Sequence, residues 1–149
     1  MQQIARIPRF PSNTAALGAA LALMLTAPPL SAADRQLMIE LNKLEDTDEG
    51  CRSLFLFDNE TGHELHRFQV DLVLFDQKGV YEKQLLLDLA PLAEDKKILT
   101  SFLLAPDPCA SIGSILINDL PSCEDGAGAK VDCLPLLEVQ SRTEIPLEK

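Results

Sequence analysis

The sequence predicts an all-β protein, a single antiparallel β-sandwich of about seven strands held by two disulfides. Three observations carry that expectation. The apolar residues fall in short runs separated by turn residues, a spacing that suits a sandwich better than a helical bundle. From His66 to Asp76, Phe68, Val70, Leu72 and Leu74 alternate with Arg67, Gln69 and Asp71, the period of two that buries one face of a strand. Four cysteines, Cys51, Cys109, Cys123 and Cys133, form an even set in a chain whose start reads as an export signal, and disulfides are the default there.

That start is MQQIARIPRF, which carries only positive charge, followed by the apolar run AALGAALALMLTA and then PPLSAAD. The order is that of a secretory signal peptide over residues 1–33. Ser31 and Ala33 supply the small residues that precede a cut, so Asp34 becomes the new terminus, with a site one residue earlier as the alternative. Arg6 and Arg9 are not adjacent, so unfolded export is favoured over export in the folded state. No cysteine near the cut offers a lipid acceptor, and no later apolar run approaches the ~20 residues that span a bilayer. Cleavage removes two arginines from the 13 basic residues and leaves 11 against 23 acidic ones, a formal charge of −12 on 116 residues. A chain so acidic has no basic stripe for nucleic acid or anionic lipid. Residues 34–149 suit one domain with one core.

The elements follow in order. LMIELNKLE (37–45) reads as a first strand and CRSLFLFDN (51–59) as a second, joined by the acidic loop DTDEG. NETGHE makes a turn into the long alternating strand, and Asp76-Gln77-Lys78-Gly79 then turns it into an antiparallel return, with Gly79 suited to a positive φ. The leucines of KQLLLDLAPLAEDKK fit a strand or a short helix ended by Pro91. KKILTSFLLA (96–105) and SIGSILIND (111–119) are further strands, separated by the extended APDPC connection. LPLLEVQSR (134–142) closes the set, and TEIPLEK is a frayed end or an edge strand. Phe55, Phe57, Phe68, Phe75 and Phe102 read as core residues.

Four cysteines permit three pairings. Cys123 and Cys133 bracket the loop EDGAGAKVD, where the chain can double back, which leaves Cys51 with Cys109. A redox centre needs two thiols in an arrangement such as C-x-x-C, and a zinc site wants paired cysteines or histidines two to four residues apart; the four cysteines show neither grouping. The stapled segment, with Glu124, Asp125, Gly126, Gly128, Lys130 and Asp132, is therefore a candidate recognition loop, exposed and pinned at both ends.

Its three carboxylates lack the regular ligand alternation of a calcium-binding helix-loop-helix. His63-Glu64-Leu65-His66 falls short of H-E-x-x-H, and a spacing of three on a strand points side chains to opposite faces. There is no G-x-S-x-G; Ser114 follows Gly113 inside an apolar run, where close packing or a bulge explains the glycine. Asp46, Asp48 and Glu49 have no apolar surroundings to split their pKa values as glycosidase chemistry requires. Asn59-Glu60-Thr61 matches a glycosylation acceptor and reads as an ordinary turn if the host is bacterial.

The run from Leu54 to Leu104, with Asn59 ending one strand and Phe75, Asp76 and Gly79 forming a Phe-Asp-x-x-Gly hairpin, resembles the fibronectin-type-III-like β-sandwich modules of bacterial envelope proteins. From ELNKLE through its four cysteines the chain is also similar to small exported alphaproteobacterial proteins without an assigned activity. These resemblances imply an Ig/fibronectin-III-like fold and a binding or scaffolding habit rather than a reaction. The expected function is thus a non-enzymatic periplasmic module for an envelope protein partner, with no catalytic residues, cofactor or metal. The alternative is a divalent-cation or small-ligand binder using the acidic loops 45–49 and 124–132.

Overall fold

The structure, a computed structural model, describes residues 35–149; the signal peptide expected at 1–33 lies outside them. Eight strands follow one another: β1 (Gln36–Thr47), β2 (Gly50–Glu60), β3 (Leu65–Asp76), β4 (Tyr81–Asp88), β5 (Lys96–Ala105), β6 (Ile112–Asp125), β7 (Leu137–Ser141) and β8 (Leu147–Glu148). Short 3-10 turns at Cys109–Ser111 and Leu134–Leu136 precede β6 and β7. No helix among the described residues is long and apolar enough to cross a membrane.

The strands form two four-stranded sheets, ordered β5-β2-β1-β7 and β4-β3-β6-β8. One apolar core lies between them, built from alternate residues: Leu37, Ile39 and Leu41 of β1, Phe55 and Phe57 of β2, Phe68, Val70, Leu72 and Leu74 of β3, and Ile115 and Ile117 of β6. Phe57 and Phe68 meet across the sheets edge to face, with ring centroids 6.4 Å apart, the geometry that aligns a ring's positive edge with its neighbour's negative face. Of the five phenylalanines assigned to the core, Phe55, Phe57 and Phe68 are fully buried. Phe102 is half-buried against Phe55, and Phe75 is half-buried on β3, its paired position facing Ser114.

Four expectations need correction. The sandwich is not antiparallel throughout, because β7 pairs parallel with β1 and β8 parallel with β6. Alternation in a sequence assigns a strand's buried face but not its neighbour. The chain leaves β6 in one sheet, crosses to the other, and enters beside β1 running the same way. The strand count is eight rather than about seven, since part of the TEIPLEK tail pairs as β8. The strand expected over 134–142 is shorter, its first three residues being the 3-10 turn with Pro135 near its start, and the strand expected to stop at 119 continues to Asp125. The ambiguous leucines of 84–87 are in strand β4.

Both disulfides form as paired from the sequence. Cys51 at the start of β2 joins Cys109 with Cα atoms 4.6 Å apart, and Cys123 joins Cys133 at 6.3 Å. Gly50 beside the first bridge has φ +121, and a Cβ there would lie 2.1 Å from the Ala105 carbonyl oxygen. Gly113 is needed for the same reason, since its Cβ would fall 2.2 Å from the Asp76 carbonyl oxygen, where the β3/β6 register shifts.

Candidate functional site

The stapled segment is a hydrogen-bonded hairpin, not a slack loop. It starts where β6 bulges: Gln69 pairs with Ser122 and Asp71 with Asp119, so Leu120 and Pro121 oppose Val70 alone. A bulge accepts a proline that a regular ladder would reject. Beyond it the chain turns at Asp125. The Asp125 carboxylate accepts the Ala127 and Ala129 N–H groups, each at 2.9 Å, while Gly128 takes φ +76 and donates its N–H to the Asp125 carbonyl at 3.0 Å. Lys130 then bridges back to Glu124, and the Val131 N–H donates to the Cys123 carbonyl at 2.9 Å. The disulfide closes the base.

Residues 119–124 and the returning 130–134 segment border an open hollow of about 230 Å³. Lys130 and Asp132 are exposed at its rim, whereas Cys123 and Cys133 are buried beneath it. Two residues that sequence reasoning left out of this site join it from β3. A Cβ on Gly126 would come within 3.2 Å of His66 Nε2, so the imidazole lies against the turn, and Arg67 Nε approaches Glu124 at 3.9 Å. Their local signal was only a turn-to-strand junction; the β3/β6 register brings them to the hairpin. His66 Nε2 also lies 3.5 Å from Glu64 Oε1.

The carboxylates expected to offer cation ligands are largely spent. Asp125 caps its own turn, Glu124 faces Arg67, and Asp132 is exposed at the rim. In the 45–49 loop, Asp46 accepts the Cys109 N–H at 2.7 Å, Glu49 pairs with Arg52 at 2.8 Å, and Glu45 pairs with Lys43. Among the described residues no group of three or more His, Cys, Asp or Glu side chains is placed to hold a metal ion.

Asn59 is buried, its amide donating to the carbonyls of His63, Leu92 and Ala93 and its oxygen accepting from Thr61. It ties the end of β2 to the segment that leads into β5. A glycan could not be attached to that amide in the folded protein. Asp76 fills its turn in a comparable way: the hydrogen bond from the Val80 N–H, helped by that from Lys78, holds its carboxyl below the ordinary carboxylate value.

Fold and site together define a disulfide-stapled two-sheet β-sandwich that carries an exposed, hydrogen-bonded hairpin. No protein-family model, curated protein or solved structure matches the chain.

Proposed function

We propose that this is an exported, non-enzymatic binding or scaffolding module of the bacterial periplasm, and that its stapled hairpin docks an envelope protein. The observation behind this reading is the hairpin itself: exposed Lys130 and Asp132 stand on a backbone fixed by the Cys123–Cys133 bridge, the Asp125 cap and the Glu124–Lys130 pairing. A pre-organised loop loses little conformational freedom when a partner binds. Two disulfides fit an oxidising compartment outside the cytoplasm, and the leader-like residues 1–33 supply the route there. Strands one, two and five in one sheet, against three, four and six in the other, follow the A-B-E and C-C′-F grouping of immunoglobulin-type sandwiches. That grouping supports the fibronectin-III-like reading, while the parallel β7 and β8 depart from it.

The cation-binding alternative has less behind it, because Asp46 and Asp125 already serve backbone N–H groups. Cross-linking capture from envelope extract tests the leading reading, using the intact protein and a variant with residues 125–129 replaced by a two-residue turn. A specific protein captured by the first and lost by the second is expected. An identical set of captured proteins with both would overturn the hairpin's role.

A further inference from the structure

The two outermost strands on one flank, β4 and β5, are treated differently by the sequence. Each hydrogen-bonds to a strand on one side only among the described residues, and an unpaired edge invites another strand unless something blocks it. On β4 the block is present. Lys83 pairs with core-facing Leu74, so it points inward, and its ammonium reaches the Leu104 carbonyl at 3.3 Å. An inward-pointing charge on an edge strand is a known guard against edge-to-edge pairing.

On β5 the guard is confined to one end, where Lys83 holds the Leu104 carbonyl and Leu104 is the extra residue of a bulge. Lys96–Ala105 contains no proline or glycine, and its inward residues Ile98, Thr100, Phe102 and Leu104 carry no charge. Its outward row is Lys97, Leu99, Ser101, Leu103 and Ala105 (the last at the sheet margin and buried), with Leu99 55% and Leu103 45% exposed. Lys97 is held by Asp58 of the neighbouring strand at 2.6 Å. The row is symmetric in character about Ser101, with a leucine two residues away on either side.

We propose that β5 pairs antiparallel with β5 of a second copy of this chain, about a two-fold axis at Ser101. A two-fold contact sets residue i against j and j against i, and facing residues in an antiparallel pair share a face. With Ser101 opposite its own copy, Leu99 faces Leu103 of the second chain and Leu103 faces its Leu99. Moving the axis to Thr100 or Phe102 sets both leucines against Ser101, Lys97 or Ala105, and an axis between residues turns outward side chains against inward ones. An axis at Leu99 or Leu103 matches that leucine with its own copy but sets the other against Asp95 or Asp107, so only the Ser101 register matches both leucines with leucine. Because Leu99 is the partner of Leu56 within its own sheet, the paired leucines extend an apolar row across both copies. The net acidity of the chain opposes association at long range, and physiological salt screens it beyond about 8 Å.

This contact is separate from the hairpin and can fail without it. The test is sedimentation of the oxidised protein at about 0.15 M salt, together with oxidation of a Ser101→Cys variant. The expected results are a reversible dimer, conversion to monomer by Leu103→Lys with an unchanged circular dichroism spectrum, and ready cross-linking of the Ser101→Cys variant to itself. Facing Cα atoms about 4.5–5.5 Å apart lie within disulfide reach. A Leu99→Cys variant should not link to itself, since its two copies are offset along the paired strands. A monomer at about 1 mM, a dimer that survives Leu103→Lys, or equal linking by both cysteine variants would each overturn the proposal.

Discussion

Glu40 and Arg142 meet across most of the sequence: Arg142 Nε donates to Glu40 Oε2 at 2.9 Å over a separation of 102 residues. Glu40 is on the outer face of its sheet yet only 2% exposed, because β7 and the residues after it cover it. Asn42, the extra residue of the β1 bulge, donates to the other carboxylate oxygen at 2.7 Å, and Gln140 supplies a further hydrogen bond. Burial pushes the Glu40 carboxyl up, but the hydrogen bonds from Asn42 and Arg142, the Arg142 charge and the Gln140 amide outweigh it and hold the pKa below 4.5.

Removing Arg142 leaves that carboxylate buried with fewer donors, so Arg142→Met should cost about 2 kcal/mol in urea unfolding. Replacing Glu40 and Arg142 together by Met should cost less than Arg142→Met alone, because no buried charge remains. A folded pKa below the unfolded one makes Glu40 stabilising above pH 4.5, with the contribution lost as pH falls from there through the folded value. Arg142→Met should therefore shrink the loss of melting temperature in that acid range.

Lys97 gives the opposite dependence. The hydrogen bond to Asp58, then its charge, raise the lysine above 10.5. Its contribution is complete below pH 10.5 and is lost as pH rises through the folded value. Lys97→Met should flatten the alkaline fall in melting temperature.

Gly50→Ala should destabilise by about 3 kcal/mol, because its Cβ would strike the Ala105 carbonyl at 2.1 Å from a backbone at φ +121. Gly79 is the control. It has a positive φ of 75 but nothing within 4 Å of its Cβ, so Gly79→Ala should cost only about 1 kcal/mol. Equal midpoints for the two variants would contradict the steric argument.

The two bridges should differ in value by loop length. Loop entropy assigns about 4 kcal/mol to Cys51–Cys109, which spans 58 residues, and about 3 kcal/mol to Cys123–Cys133, which spans 10. Paired Cys→Ala variants measured by urea unfolding should fall in that order.

The sequence was most informative where local chemistry decides the outcome. The alternating Phe68, Val70, Leu72 and Leu74 lie in the core, and Asp76 with Gly79 makes the turn after them. Cysteine pairing was also legible, because a short span can close cheaply and leaves one other partner each. Strand neighbours were not. Nothing in LEVQS says that it will run parallel to β1, since that depends on where a crossing chain arrives. The hairpin's residues were visible, but His66 and Arg67 join it only through the register of two strands far apart in the chain, as in the Arg67–Glu124 pairing, and the cover over Glu40 comes from Arg142, 102 residues further on.

The parallel pairing of β1 with β7 governs how the sandwich bears load. Leu37 to Leu41 run alongside Leu137 to Ser141 in the same direction. Pulling the leading end of β1 against the trailing end of β7 slides the two strands along one another, so their hydrogen bonds are strained together in shear. An antiparallel pair held at adjacent ends would open one bond at a time, like a zip. β8 is held to β6 at only two paired positions, whereas Arg142, just past β7, grips Glu40 of β1 across the same seam.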